Sequence, residues 1–280
     1  MRKNINKNPV MIIMTVIFML YAISILFVMV WGLNISLMSR KDYNQAKLFP
    51  TSLQFVNYIT AWTELSANGI SMIEMIINSV WYAVGASAFS VLFSSMTSYV
   101  IAKYKFPGRG FFYGWAIVTM MIPILGSAPS AIKFYDMLGI YDSQFLIIMF
   151  ASSWGQNFVI LYATFKSVSW EYAEAAFIDG ANHLTVWYKI MLPQVISPMI
   201  ALFMVEFIGR WGDSETALLF LPNHPSLASG LYIYKRINET RLNTPALFSG
   251  LMLCTVPVLV LYICFQKSIM EIQLDGGLKG

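Results

Sequence analysis

Residues 10 to 33 read VMIIMTVIFMLYAISILFVMVWGL, from Val10 to Leu33, a run of about 24 residues without a charge, where a spanning helix needs roughly 20. The run is too long for a signal-peptide core, and no small-residue cleavage signature follows it. An uncleaved transmembrane helix is predicted, with Arg2, Lys3 and Lys7 held on the cytoplasmic side.

Further apolar runs with charged or Pro/Gly borders lie near Ser71 to Ala102, Phe111 to Ile132, Phe145 to Phe165, Val195 to Trp211 and Leu247 to Phe265. The expected fold is an all-α integral membrane protein of six transmembrane helices, multi-pass in the cell membrane. Counting from inside, the chain returns to the cytoplasm after spans two, four and six. That places Lys103, Lys105, Arg109, Lys267 and Lys279 inside, as the positive-inside rule asks, although Arg40, Lys41, Lys47, Lys235, Arg236 and Arg241 fall outside. Acidic residues are richer outside, at Asp42, Glu64, Asp136, Asp142, Asp213, Glu215 and Glu239. Both termini are read as cytoplasmic.

Composition agrees. Of 280 residues, 58% are hydrophobic and 11% charged, against about 25% charged in a soluble domain. So little polar surface excludes a water-soluble enzyme, and so little charge excludes a disordered chain. The net charge of +4 is scattered between apolar blocks. It forms no basic stripe, so no nucleic-acid partner is expected. Cys254 and Cys264 are ten residues apart in one run, about 15 Å along a helix, too far to bridge. His183 and His224 belong to no Cys/His cluster, so no metal site is expected.

The chain divides into residues 1–70, a first helix and an extracytoplasmic connection without a core of its own; residues 71–268, a five-helix core; and a cytoplasmic tail, 269–280. Span two carries Ala86, Ser90, Ser94, Ser98 and Ala102, a small residue at every fourth position, which places all five on one face. Either another helix of the bundle packs there, or the face lines a subunit interface or pore. Span three holds Pro123, Gly126 and Pro129 and should break near mid-membrane, because each proline removes a donor and crowds the preceding turn. Span five places Glu206 and Arg210 one turn apart, with Trp211, Asp213 and Glu215 following. Charges at that depth are costly. They form either a self-neutralising pair or the wall of a translocation pathway, for which Glu206, Arg210, Trp211 and Asp213 are the candidates.

Between spans four and five, the segment 166–193 reads as a short helix, a glycine stop and a second helical piece. Ser169 can cap the first helix, Glu171 and Glu174 suit its early turns, and Gly180 can end it in a left-handed conformation. Pro193 prevents uninterrupted continuation into span five. A short helix with small residues and an exposed apolar face is shaped to lie in another protein's groove.

Here the sequence resembles the membrane subunits of binding-protein-dependent ATP-binding-cassette importers. Their cytoplasmic signature is Glu-Ala-Ala, Gly four residues later, then Ile-x-Leu-Pro. Glu174-Ala175-Ala176, Asp179-Gly180 and Ile190-Met191-Leu192-Pro193 match it at the family spacing. The resemblance runs from about Asn78 to the C-terminus and is strongest to the carbohydrate group, especially the second maltose-type subunit, through Asn78-Ser79, the stretch Ala102 to Gly108, and the ending Gly276-Gly277-Leu278-Lys279-Gly280. It implies a type I importer membrane domain whose Glu174 helix docks on an ATPase subunit, with the tail reaching between the ATPase subunits. It also implies a second homologous membrane subunit as heterodimer partner, two ATPase subunits binding ATP and Mg, and an external solute-binding protein delivering a sugar. This chain itself needs no cofactor. Where the family usually has Trp-Asn-Asp, this chain has Trp211-Gly212-Asp213, which removes one side chain able to touch a solute.

No Gly-x-x-x-x-Gly-Lys-Ser/Thr loop is present, so the chain does not hydrolyse nucleotide. An ion-coupled secondary transporter is the first rival; the charges of span five support it, and repeated halves would be expected. A membrane-embedded hydrolase is the second, but no His lies in a span and the acids form no convincing pair.

Overall fold

The computed structural model describes residues 9–122, 126–150, 154–237 and 243–277. Among these it is helical, with no strand and one isolated antiparallel bridge between Ala67 and Ile70. The chain groups into two compact units, one of residues 1–66 and 233–255, the other of 67–232 and 256–280.

In the first unit, α1 (Pro9–Ser36) is exposed from Val10 through Val30. Its length, roughly 42 Å, exceeds the 30 Å of a hydrocarbon core. The connection after it was expected to lack a core, and the structure corrects this. α2 (Arg40–Asn44) and α3 (Val56–Glu64) fold back on the end of α1, burying Met38, Ala61 and Leu65. The Asn57 side-chain amide donates to Ser36 O at 2.8 Å and Met38 O at 2.7 Å, satisfying carbonyls that the end of a helix leaves open. Buried Asp42 accepts from Lys47 Nζ at 2.5 Å, from the Thr51 hydroxyl at 2.9 Å and from the Thr51 backbone N–H at 3.2 Å. A polar sequence hides this core, because its cement is side-chain hydrogen bonding to backbone.

In the second unit, α4 (Met72–Lys103) opens on a capping box, with Ser71 N–H donating to the Glu74 carboxylate at 2.9 Å. All five small residues of its stripe are buried. α7 (Gln156–Ser167) and α11 (Ile196–Trp211) pack on α4, and the Ser98 hydroxyl donates to Phe158 O at 2.9 Å. The stripe therefore serves packing within the bundle.

The expected third span is two helices, α5 (Arg109–Met121) and α6 (Ala128–Met137), separated at Gly126, where φ is +71°. Pro129 sits in the first turn of α6, where a missing N–H costs nothing. Pro123 lies outside the described residues. The expected fourth span is likewise divided, a 3-10 turn (Gln144–Phe150) preceding α7 after Gly155, whose φ is +123°. α8 (Glu171–Ile178) follows, then a turn of α9 (His183–Thr185), a π turn (Val186–Met191) and α10 (Leu192–Gln194). After α11 come α12 (Ser214–Phe220), α13 (Leu227–Ile237) and α14 (Thr244–Gly277).

Among the described residues, three helices are long and apolar enough to cross a bilayer: Pro9–Ser36, Met72–Lys103 and Thr244–Gln266. A fourth is counted if His183–Gln194 and Ile196–Trp211, bent by 79°, form one span. The elbow falls at Val195, two residues after Pro193, which sits in the first turn of α10. Cys254 and Cys264 are both free thiols.

Candidate functional site

The segment 166–193 is built outward from a shared core. Tyr99 and Ala102 of α4, Leu161 and Phe165 of α7, Ala173 and Ala176 of α8, Val186 and Met191 of the π turn, and Met199 and Leu202 of α11 form one buried cluster. α8 is thus seated on the bundle by its own alanines. Its N-cap is Trp170, whose side chain makes no cap bond; Ser169 still contributes, its hydroxyl oxygen accepting from Glu171 N–H at 3.3 Å.

Gly180 ends α8 as its sequence position foretold, with φ of +83°. Gly180 N–H donates to Phe177 O at 3.0 Å, and Ala181 N–H donates to Ala176 O at 2.9 Å. These two bonds are the paired closure of a Schellman cap, which settles the last carbonyls and fixes the exit direction.

The signature residues divide by face. Glu174, Ala175, Asp179, Gly180 and Pro193 are exposed, whereas Ala176 points into the core and Ile190 and Leu192 are half-buried against it. Helical phase explains the split of the two alanines: Ala173 and Ala176 lie three apart on one face, and Glu174, Ala175 and Ile178 lie on the other. Sequence reasoning missed the apolar companions of the exposed face. Tyr172, Ile178, Leu184 and Tyr188 are all largely exposed, Ile178 at 86%. For Tyr172 and Ile178, phase relative to Ala173 on α8 was the signal that would have found them.

The mounting was also missed. Lys103 Nζ, at the end of α4, donates to Val168 O, and the Tyr104 hydroxyl bonds His183 Nδ1 at 2.8 Å. The Tyr104 ring meets Trp170 and His183 edge-on. Arg109 folds back to donate to Ala102 O at 3.1 Å. The stretch 102–109 therefore clamps both ends of α8 to α4, and an apolar hollow bordered by Met96, Val100, Leu184 and Trp187 opens beside the clamp.

Of the pathway candidates, Arg210 and Glu206 form an ion pair at 2.7 Å, one turn apart as expected. The Asn157 amide of α7 donates to the other Glu206 oxygen at 3.0 Å and to Ser90 Oγ of α4 at 3.2 Å. Ser90, Asn157, Glu206 and Arg210 thus join three helices through one polar chain, which the sequence could not show because its members are 49 and 67 residues from Asn157. Asp213 caps α12, accepting from Thr216 N–H at 3.0 Å, and accepts from the Tyr82 hydroxyl at 3.4 Å. Trp211 is buried, stacked on Phe207 with ring centroids 5.5 Å apart. Gly276 and Gly277 close α14, and Leu278, Lys279 and Gly280 lie outside the described residues. Among the described residues, no group of His, Cys, Asp or Glu is arranged to hold a metal ion.

Residues 90–269 match the family described as "Binding-protein-dependent transport system inner membrane component". The chain is 26% identical to the diacetylchitobiose uptake system permease protein NgcG of Streptomyces coelicolor, covering 89% of this chain and 83% of that one. It is 22% identical to the trehalose transport system permease protein SugB of Mycobacterium tuberculosis, covering 89% and 91% respectively. Among solved structures it resembles a chain of a bacterial ABC transporter involved in the import of the acidic polysaccharide alginate. The TM-score is 0.77 at 22% identity, over 91% of this chain and 95% of that one.

Proposed function

We propose, from the premise that the chain belongs to the family of binding-protein-dependent inner membrane transport components, that it is the permease subunit through which a sugar or oligosaccharide is imported at the expense of ATP. The carbohydrate names of its relatives support that cargo. In this reading the chain crosses the membrane six times with both termini cytoplasmic, the divided third and fourth spans each counting as one. It pairs with a second homologous membrane subunit. Two cytoplasmic ATPase subunits bind ATP and Mg, and an external solute-binding protein delivers the cargo.

The observation that carries the reading is the exposed face of α8, mounted on a rigid seat. Glu174, Ala175, Asp179 and Gly180 enter a cleft of an ATPase subunit, flanked by Ile178 and Tyr172, while Ala173 and Ala176 keep α8 fixed to the bundle. Closure of the ATPase pair then moves α8, and the Lys103 and Tyr104 clamps pass that movement to α4 as a rigid body. Glu206, Arg210 and Asp213 stand beside the pathway, with Asn157 and Ser90 holding the carboxylate of Glu206. The tail ending in Gly280 reaches between the ATPase subunits.

The test is Glu174→Ala in the complete transporter reconstituted in nanodiscs and proteoliposomes. Insertion should be unchanged, while cargo-stimulated ATP hydrolysis and uptake are lost. Normal uptake by this variant would falsify the assignment. The rival of an ion-coupled carrier predicts uptake that stops with an uncoupler and ignores ATP.

A further inference from the structure

The surface of the first unit is apolar where a water-facing connection would be charged. Leu48, Phe49, Leu53, Phe55, Ile59 and Trp62 are all exposed, Phe49 at 72%. In α3 the pattern is inverted relative to a soluble surface helix. Its inward face carries Asn57 and Ala61, and its outward face carries Val56, Ile59 and Trp62, at spacings that make one stripe.

The height of this stripe is fixed by what it is tied to. Asn34 Nδ2 donates to Leu48 O at 2.9 Å, Gln54 N–H donates to Leu37 O at 2.9 Å, and Ser36 Oγ lies 2.9 Å from Tyr58 Oη. The Ser249 hydroxyl, near the start of α14, donates to Ser36 O at 3.1 Å. Residues 48–58 are therefore stitched to the end of a helix that is exposed from Val10 through Val30. From Trp31 to Ser36 the rise is about 7.5 Å, the depth of a headgroup layer. The exposed stripe adjoins the end of α1, and the exposed Arg40 and Lys41 precede it with positive charge. Apolar residues, a Trp and adjacent cations are what an interfacial helix needs to lie in a bilayer surface.

We propose that residues 48–62 form an in-plane anchor, with Phe49, Phe55, Ile59 and Trp62 inserted at the headgroup boundary of the outer leaflet and the Asp42 cluster facing water. The occupant of this face is phospholipid. The proposal rests on the topology given above, which puts the far end of α1 outside.

The experiment attaches a nitroxide at Ile59→Cys, and separately at Phe55→Cys, in a Cys254→Ser, Cys264→Ser background of the full transporter in nanodiscs of phosphatidylethanolamine and phosphatidylglycerol. Gln45→Cys, exposed and outside the stripe, serves as the aqueous reference. A ratio of oxygen to nickel-chelate collision rates several-fold above that of position 45, at both sites, is expected. A ratio equal to that of position 45 would place the stripe in water and overturn the proposal. Protection from both reagents would assign the face to a protein partner and overturn it equally. Labelling of Gln45→Cys in intact cells by a membrane-impermeant maleimide reports the topology separately, so a failure there is distinguishable from a failure of the anchor.

Discussion

The Tyr104 hydroxyl and His183 Nδ1, 79 positions apart in the chain, meet at 2.8 Å. This bond joins the residue that caps the end of α4 to the residue that begins the second helical piece after α8. Removing it with Tyr104→Phe keeps the ring contacts to Trp170 and His183, deletes about 1 kcal/mol of hydrogen bonding, and also takes away the 3.3 Å contact with the Tyr99 hydroxyl. The variant is expected to hydrolyse ATP normally while moving less cargo per ATP, read as uptake divided by hydrolysis in proteoliposomes. An unchanged ratio would show that the bond carries no movement.

Gly180 has φ of +83° with open space around it. Gly180→Ala meets no neighbour, so its whole cost is backbone strain, roughly 1 to 2 kcal/mol. The expectation is a fall in coupled transport with a melting temperature lower by only a few degrees, because α8 stays seated by Ala173 and Ala176. Gly180→Asn, which tolerates the left-handed region better, should recover part of the loss.

The Glu206–Arg210 pair is partly exposed, and Asn157 holds the second oxygen of the carboxylate. Arg210→Met leaves that carboxylate without its cation and should destabilise the bundle by about 2 kcal/mol. Glu206→Gln with Arg210→Met removes both charges together and should restore much of the loss, as a double-mutant cycle of detergent melting curves will show. Additive losses would mean that the two side chains act independently.

Lys47, assisted by the Thr51 N–H and hydroxyl, holds the Asp42 carboxyl well below its ordinary range, against the opposing pull of burial. A lowered folded value means that the unfolded chain binds the proton first. The stabilisation is therefore complete above about pH 4 and is lost as the pH falls further, toward the folded value. The melting temperature of the wild type minus that of Asp42→Asn should stay constant from pH 7 to pH 5 and shrink toward pH 3. A difference that grows on acidification would reverse this assignment.

Much of the fold is legible in the hydropathy runs, because a bilayer tolerates little besides apolar helices. The predicted starts at Ser71 and Val195 fall within one residue of α4 and α11. The stop at Gly180 is legible too, since few residues adopt its backbone angles. Contacts across long stretches of chain were not. Ser90 stands out in its run only as one of a small-residue stripe, Glu206 as a charge at depth and Asn157 not at all, and only packing of α4, α7 and α11 brings them into one chain of hydrogen bonds. The connection after α1 misled for the opposite reason: Asn57 and Asp42 are polar, yet both are buried because each satisfies local donors or acceptors.

The 79° elbow at Val195 turns the chain through nearly a right angle between His183–Gln194 and Ile196–Trp211. Such a joint is a bell crank. Were the joint to flex, a push along one arm would become a swing of the other, with Glu206, eleven residues beyond Val195, on a lever roughly 16 Å long. Rotating that arm by about 5° carries Glu206 some 1.4 Å sideways, half the length of the bond it shares with Asn157. By this geometry a hinge of that size at Val195 would suffice to make or break the contact between Glu206 and Asn157, with no helix unwinding between them.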